Sequence, residues 1–275
     1  MTETAQTTLR VAVMQATGLV NSPAENLRRL AFRAGEAVAK GAGLLVTPEL
    51  FTAGYAPTLV HGTDGTAQRD QLAAIAAEHS IALVASTVEH SAGNRYITAS
   101  FFGPGGEERT RYRKQHLFGP DENAVFTPGG EAPEIIEYAG FKTALGICFD
   151  VEFPEFTRAA ALAGAELLCV PTAVPLRAAG NTGDHPLDTR LIPSMVVPTR
   201  ALESQLYVAY ANHSGPRFAG VSTIADPYGR KVSAAALDAL IVADISPSTV
   251  ARARRDTDYL TRFTPATCSI PEGTP

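Results

Sequence analysis

The sequence contains little of what disulfide-stabilised or nucleic-acid-binding proteins require. Its 275 residues include three cysteines and no tryptophan, and charged residues make up only 19% of the chain. An odd number of widely spaced cysteines argues against a disulfide framework and favours a reducing compartment. The formal net charge of -5 gives no electrostatic reason to expect a nucleic acid partner, because such partners select basic surfaces.

Long apolar runs are also missing. No stretch of about 18 consecutive apolar residues occurs, so no membrane span is expected. The N-terminal stretch MTETAQTTLRVAVMQA begins with polar residues and lacks the charged and then apolar layout of a signal peptide. We therefore expect a cytoplasmic protein without a membrane partner.

Several catalytic motifs are absent as well. The six histidines are scattered without His-x-x-x-His spacing and no Cys-x-x-Cys pair occurs, so no metal site is expected. The stretch GPGGEE lacks both the dinucleotide-binding glycine pattern and the lysine of a phosphate-binding loop. No Gly-x-Ser-x-Gly occurs either, which argues against a serine hydrolase.

Strand-length apolar runs alternate with helical patterns through the first two thirds of the chain. Buried strands are predicted at residues 9 to 16, 43 to 49, 81 to 89, 141 to 148 and 165 to 173. Helices are predicted from Pro23 onward, at about 67 to 79, at about 154 to 164 and in the later part of 190 to 205. Ser22 is expected to cap the first helix, with Glu25 completing a capping box.

Turn residues define the remaining pairings. A hairpin is predicted to turn at Pro104-Gly105-Gly106, and residues 206 to 215 and 220 to 232 resemble paired strands. The repeated strand-helix-strand order predicts an α/β layered fold. We expect one domain over residues 1 to 275, with a short C-terminal tail at about 262 to 275.

In layered α/β folds, ligands bind beyond the carboxyl ends of the strands. Three chemically useful residues follow predicted strands: Glu49 after GLLVTP, Lys114 after TRYR and Cys148 after TALGI. Singly, a glutamate or lysine at a strand end is usually a solvated charge, and a buried cysteine is usually a small hydrophobe. Together they supply a base, a cation and a nucleophile.

Cysteine attacks as the thiolate, and only a few per cent of free thiol is ionised near neutral pH. A carboxylate can take the proton, and an ammonium can stabilise the resulting anion. The same ammonium, with a backbone N–H just after the cysteine, could hold an oxyanion, an effect worth roughly 3 kcal/mol per donor in hydrolases.

Three blocks resemble the signatures of the nitrilase superfamily of carbon-nitrogen hydrolases. They are VTPELFTAGY at 46 to 55, YRKQHLFG at 112 to 119 and GICFDVEFPE at 146 to 155, in the usual order. The resemblance spans nearly the whole chain and implies an αββα sandwich, a four-layer-forming fold that commonly pairs face to face. It thus implies a homodimer or a higher homo-oligomer.

Roles follow from the resemblance residue by residue. It implies that Glu49 is the general base and later the acid, that Lys114 stabilises the oxyanion and that Cys148 is the nucleophile. Glu122, eight residues beyond Lys114, matches a second glutamate that positions the lysine and the substrate. The N–H of Phe149, which stands where many relatives have tyrosine, is expected to bind the oxyanion.

The segment VPTA adds Thr172 and Ala173 as expected substrate or oxyanion residues. The implied reaction converts an amide to a carboxylic acid and ammonia through a thioester on Cys148, and it requires no metal or organic cofactor. The closest resemblance is to aliphatic amidases of the 5-aminopentanamidase and R-stereoselective amidase type. The implied partner is a small-molecule amide.

Other substrates stay open. The same triad could hydrolyse nitriles, although the Cys-Phe-Asp here differs from the Cys-Trp-Glu typical of nitrilases. A substrate with an ammonium group would need an acid in the pocket, and the candidates are Asp150, Glu152 and Asp184. An ω-amidase-like monoamide substrate would instead need a cation, and the candidates are Arg177 and Arg190.

Two further hypotheses remain. A papain-like hydrolase would use a histidine base, and His116 or His213 would be that residue. His116 is better interpreted as a packed side chain or one that supports the site. A non-catalytic binding protein could keep the sandwich with Cys148 merely packed.

Overall fold

A computed structural model describes residues 8–177, 187–234 and 237–262, and it has twelve strands and seven α-helices within those ranges. The strands are β1 (Leu9–Gln15), β2 (Leu44–Val46), β3 (Ala82–Ser91), β4 (Asn94–Phe102), β5 (Glu108–Arg113), β6 (Ile136–Tyr138), β7 (Phe141–Leu145), β8 (Leu167–Pro171), β9 (Tyr207–Ala211), β10 (Thr223–Ala225), β11 (Lys231–Ser233) and β12 (Ala239–Ile245). The helices are α1 (Pro23–Ala39), α2 (Pro57–Val60), α3 (Thr66–His79), α4 (Gly119–Val125), α5 (Pro154–Leu162), α6 (Val197–Ser204) and α7 (Pro247–Asp256). A 3₁₀-helix, Cys148–Glu152, precedes α5, and a π-helical turn, Ile192–Val196, precedes α6.

The strands form two six-stranded sheets. The first sheet has the order β12-β1-β2-β3-β4-β5, and the second has the order β11-β10-β9-β8-β7-β6. Side chains alternate between two cores, since successive residues of a strand point to opposite faces. In β1, Val11 and Val13 pack between the sheets, whereas Ala12 and Met14 pack beneath α1 and α3. The predicted αββα layering is confirmed.

Parallel strands at the centre of each sheet determine where the loops lie. Strands β1, β2 and β3 are parallel, as are β7, β8 and β9. Strand β5 runs in the direction of β3, because both are antiparallel to β4. The segments that follow β2 and β5 therefore leave the same edge of the first sheet.

A hydrogen bond between sheets shows that these edges meet. The Glu49 N–H, beyond β2, donates to the Thr172 carbonyl, beyond β8, at 3.2 Å. The carboxyl ends of the parallel strands of both sheets therefore converge on one place.

Most predicted elements are observed within a few residues of their predicted ends. The hairpin of β4 and β5 and the pairing of β9 with β10 are both present. Strand β2 is shorter than predicted, because the chain leaves the sheet after Val46. Strand β12, which pairs with β1 along its whole length, and helix α7 were not predicted.

The predicted capping box at α1 is wrong. Ser22 precedes the helix, but its hydroxyl donates to the Val20 carbonyl at 3.3 Å rather than accepting from the helix. Glu25 instead forms an ion pair with Arg28 one turn later, at 2.7 Å. An i,i+3 ion pair on the helix surface thus takes the carboxylate that a capping box would use.

None of the helices within the described residues has the length and apolar character needed to cross a membrane. The C-terminal tail expected at about 262 to 275 lies outside the described residues, apart from Arg262.

Candidate active site

Four of the predicted site residues come together where the two sheets meet. Glu49 follows β2 and Lys114 follows β5 in the first sheet, whereas Cys148 follows β7 in the second. Glu122 lies on the short helix α4, which follows Lys114 in the chain. All four side chains are buried, although three of them are ionisable and polar. Buried charges are stable only when they are paired.

Lys114 provides that pairing. Its ammonium Nζ lies 2.8 Å from Glu49 Oε1, and 2.8 and 2.9 Å from the two carboxylate oxygens of Glu122. The side chains of all three residues are 0% exposed. One ammonium thus uses its three donors on two carboxylates, which fixes all three groups.

Glu122 is fixed further by two other donors. The Tyr55 hydroxyl donates to its Oε1 at 2.6 Å, and the Phe118 N–H donates to its Oε2 at 2.7 Å. Each oxygen of the Glu122 carboxylate therefore accepts one hydrogen bond from Lys114 and one from a second donor, which fixes the position of the carboxylate. Tyr55 was not predicted as a site residue, although it ends the signature block VTPELFTAGY, and that position was the sequence signal that could have indicated it.

The free oxygen of the cluster belongs to Glu49. Glu49 Oε2 is buried and has no hydrogen-bond partner of normal geometry within the described residues. Burial raises the pKa of the Glu49 carboxyl to about 7, because it outweighs the attraction of Lys114. A carboxyl group with such a pKa can gain and lose a proton near neutral pH.

The pKa values of Lys114 and Cys148 are shifted by the same neighbours. Burial alone would lower the pKa of Lys114, but Glu49 and Glu122 raise it above its usual value. Burial and the Glu49 charge raise the pKa of the Cys148 thiol well above its usual value, against the opposing effects of Lys114 and the Ala173 N–H. Lys114 is therefore charged and the resting Cys148 thiol keeps its proton.

The backbone at Cys148 adopts an uncommon conformation. Its φ angle is +46°, in the left-handed region that non-glycine residues rarely adopt. The residue begins the 3₁₀-helix, which is separated from β7 by Gly146 and Ile147, and it is 3% exposed. Backbone strain of this kind occurs where the surroundings hold a side chain in one direction, often at a functional site.

Asp150 holds this turn against the loop that carries Lys114. One carboxylate oxygen accepts from Tyr112 Oη at 2.9 Å and from the Ile147 N–H at 3.0 Å. The other accepts from the His116 N–H at 2.9 Å and lies 2.8 Å from His116 Nδ1. With four partners, Asp150 has no capacity left for a substrate ammonium, so that hypothesis is wrong for this residue.

His116 and His213 lie beside the site, and within the described residues neither has a hydrogen bond to Cys148. His116 stacks on Phe153 with ring centroids 4.0 Å apart and is bound to Asp150, as expected for a packed side chain. His213 Nε2 donates to the Glu49 carbonyl at 2.7 Å, while its Nδ1 accepts from the Gly18 N–H. Burial lowers the pKa of His213 to about 4, so the ring is neutral and holds the Glu49 backbone in place.

The VPTA segment lies beside the cluster. The Thr172 carbonyl accepts from Glu49, and the Ala173 N–H lies against the Cys148 sulfur. The Phe149 ring packs edge-on against Phe118, with centroids 5.3 Å apart. Thr172 and Ala173 therefore border Glu49 and Cys148 through their backbone groups.

Two cavities that share wall residues lie near Cys148. The inner cavity has a volume of about 50 Å³, and its walls include Cys148, Glu152, Phe118, Val174, Arg177 and Ile192. The outer cavity, of about 600 Å³, shares Phe118, Pro175 and Arg177 with it. The smaller cavity is the chemically relevant one, because it contains the thiol.

The other predicted substrate-binding residues divide into two groups. Glu152 and Arg177 line the inner cavity. Arg190 does not, since it forms an exposed ion pair with Asp188 at 2.6 Å, which corrects its expected role. Asp184 lies outside the described residues.

Comparison with known proteins agrees with this arrangement. Residues 10–255 match the family model for carbon-nitrogen hydrolases. A protein from Pseudomonas protegens named as a hydrolase is 37% identical over 92% of this chain and 88% of its own length. An R-stereoselective amidase from a Pseudomonas species is 30% identical over 92% of this chain and 90% of its own length. Further relatives are named ω-amidases.

The solved structures include similar enzymes. A double mutant of the amidase from Nesterenkonia sp. AN1, in complex with acrylamide, superposes with a TM-score of 0.82 and 34% identity, covering 94% of this chain and 95% of the other. Another structure of that amidase carries the acetamide moiety of fluoroacetamide, added covalently at its active-site cysteine. The chain therefore belongs to the carbon-nitrogen hydrolase family of the nitrilase superfamily, and it is a hydrolase of carbon–nitrogen bonds other than peptide bonds.

Proposed function

We propose that the protein hydrolyses a small aliphatic amide to a carboxylic acid and ammonia, with Glu49, Lys114 and Cys148 as its catalytic residues. The observation that carries the proposal is the buried contact of Lys114 with two carboxylates next to a cavity that contains a cysteine thiol. Burying three ionisable side chains is costly and is retained where chemistry needs it.

In the first half of the reaction, Glu49 takes the thiol proton as the Cys148 sulfur attacks the amide carbon. The carbonyl becomes an oxyanion, which Lys114 and the Phe149 N–H stabilise. Within the described residues, no hydrogen bond occupies the Phe149 N–H, which supports its role as a donor. Glu49 then gives the proton to the leaving nitrogen, the carbon–nitrogen bond breaks, ammonia departs and a thioester remains on Cys148.

In the second half, Glu49 takes a proton from water, and the resulting hydroxide attacks the thioester carbon. The same donors hold the second oxyanion until the carbon–sulfur bond breaks. The proton returns to the sulfur and the acid leaves. A pKa of about 7 suits Glu49 to both directions of transfer.

Glu122 has a positioning role in this scheme. Its bidentate contact keeps Lys114 at one place, and Tyr55 and the Phe118 N–H keep Glu122 there. A preorganised cation stabilises a developing charge without having to move during the reaction.

Ammonia release from a panel of amides and nitriles tests the proposal. Short aliphatic amides, ω-amino amides, dicarboxylic monoamides and the matching nitriles should be compared, and mass spectrometry of quenched enzyme should detect the acyl group on Cys148. We expect turnover of at least one amide and an adduct on that residue. Turnover of nitriles alone, or an active Cys148→Ala variant, would refute the proposal.

A second candidate is hydrolysis of dicarboxylic monoamides, as the ω-amidase names of several relatives suggest. Arg177 lines the inner cavity and could pair with a distal carboxylate. The amide panel separates this candidate from the first.

We also propose a homodimer or a higher homo-oligomer in the cytoplasm. Leu162 on α5 and Leu202 on α6 are 50% and 38% exposed on two helices that pack together. Exposed leucines on two helices that pack together support pairing with a second copy of the chain. Light scattering of the purified protein measures the assembly directly, and a monomer at micromolar concentration would refute it.

A further inference from the structure

Among the described residues, Glu152 is the one acidic wall residue of the cavity that contains Cys148. It ends the 3₁₀-helix that Cys148 begins, so one short turn presents the nucleophile and this carboxylate to the same space. Phe118, Val174 and Ile192 give the cavity apolar walls. The mechanism proposed above assigns no role to Glu152.

The Glu152 carboxylate has no hydrogen bond or ion pair with any residue in the described ranges. Two cations act on it, Lys114 and Arg200, and both are committed elsewhere. Lys114 pairs with Glu49 and Glu122. Arg200 Nη2 donates to the Glu152 backbone carbonyl at 2.7 Å, its Nε donates to the Val151 carbonyl at 3.1 Å, and its Nη1 pairs with Glu203 at 2.8 Å. The Arg200 guanidinium therefore binds the backbone of the 3₁₀-helix and does not pair with the Glu152 carboxylate.

The electrostatics agree with an unpaired acid. Burial raises the pKa of the Glu152 carboxyl to about 7, and Lys114 and Arg200 offset only part of this effect. A half-buried carboxylate without a partner is unfavourable, and a cation from the ligand would remove that cost.

We propose that Glu152 binds the ammonium group of the substrate, so that the enzyme selects small aliphatic amides that also carry a protonated amine. The inference rests on the proposed amide hydrolysis at Cys148 and names its substrate class. The amide carbon lies at Cys148, the apolar walls contact the methylene chain and the ammonium lies at Glu152.

The other charged wall residue, Arg177, favours an anionic substrate. Its charge should attract a ligand less strongly than the charge of Glu152 does. Its side chain is exposed, and its guanidinium lies 5.7 Å from the centre of the Phe118 ring, at the border with the outer cavity. Solvent screens an exposed charge far more than a half-buried one. A substrate carboxylate in the inner cavity would also be repelled by Glu152.

Three amides of equal length test the inference: 5-aminopentanamide, pentanamide and the monoamide of glutaric acid. With the wild type, we expect the highest kcat/KM for the cationic amide. Glu152→Gln should raise KM for that amide by roughly 10- to 100-fold while changing kcat/KM for pentanamide by less than about threefold. Glu155→Gln is the matched control, since it removes an exposed acid three residues away and should leave the preference intact.

The pH dependence gives a readout that a purely structural role would not produce. As the pH falls below about 7, Glu152 gains its proton, so KM for 5-aminopentanamide should rise while KM for pentanamide stays flat. Ionisation of Glu49 affects both substrates, and the ratio of the two KM values cancels it.

Failure of the inference differs from failure of the proposed function. If the wild type hydrolyses pentanamide or the monoamide as well as the cationic amide, Glu152 does not select an ammonium, although the amidase chemistry stands. Equal losses on all three amides in Glu152→Gln would also overturn the inference. If the variant does not fold, the wild-type preference and its pH dependence still decide. Absence of turnover on every amide would refute the amidase function itself.

Discussion

Two buried cysteines, Cys169 within the second sheet and Cys148 just beyond its strand β7, differ in their surroundings. We expect that difference to separate a reactive thiol from a packed one. Cys169 lies in the middle of β8, fully buried among apolar side chains, and burial alone raises its pKa. Cys148 lies just past the end of β7, in a left-handed conformation next to Glu49, Lys114 and a cavity. Position at a strand end, rather than burial, makes a cysteine available for chemistry.

Substitution of the two cysteines tests that comparison most directly. Cys148→Ala should lower kcat/KM for any amide substrate by at least about 1,000-fold, because the nucleophile is lost. Cys169→Ala should keep activity within about threefold and cost about 1 kcal/mol of unfolding free energy, measured by chemical denaturation. Iodoacetamide should label Cys148 well before Cys169, and equal slow labelling would favour an inert Cys148.

Loss of the buried cation should have the next largest effect. Lys114→Ala removes the positive charge that would stabilise the oxyanion and leaves two buried carboxylates facing each other, so we expect kcat to fall about 100-fold or more. Unfolding free energy should also drop by roughly 3 kcal/mol. Lys142→Ala, which changes an exposed lysine on β7, is the matched control. A fully active Lys114→Ala variant would exclude the proposed triad.

The pH profile should show a smaller, graded effect. Glu49 must be ionised to take the thiol proton, and burial raises its pKa to about 7. The active form is therefore present above that pH and is lost as the pH falls through it, so kcat/KM for a neutral amide should decline about tenfold per unit at lower pH. Activity that stays constant down to pH 5 would contradict Glu49 as the base.

The smallest effect is expected at the histidine beside the site. His116→Ala should reduce kcat by less than about tenfold, since the ring packs on Phe153 and supports Asp150 without contacting Cys148. A loss comparable to that of Cys148→Ala would instead support a Cys-His mechanism.

Strand ends explain why the core of the site could be predicted from the sequence. Glu49, Lys114 and Cys148 each follow an apolar run, and parallel strands deliver their carboxyl ends to one edge. The hairpin could also be predicted, because its turn residues, Pro104-Gly105-Gly106, are local signals in the sequence. Their catalytic roles stay predictions until variants are assayed.

Residues that act through long-range contacts could not be predicted. Tyr55 and His213 reach Glu122 and the Glu49 backbone across 67 and 164 residues of chain. Asp150 was one of three acids offered as a partner for a substrate ammonium, but its four donors come from the turn and from the other sheet. Local patterns carry no information on such partners.

The contacts of Asp150 also determine how the enzyme will lose activity. Tyr112 and His116 belong to the first sheet and its exit loop, whereas Asp150 and Ile147 belong to the turn after the second. The candidate active site therefore lies between the two sheets, and neither sheet contains it alone. In denaturant, activity should disappear in the same cooperative transition as the packing between the sheets. Turnover should therefore be a sensitive measure of that packing.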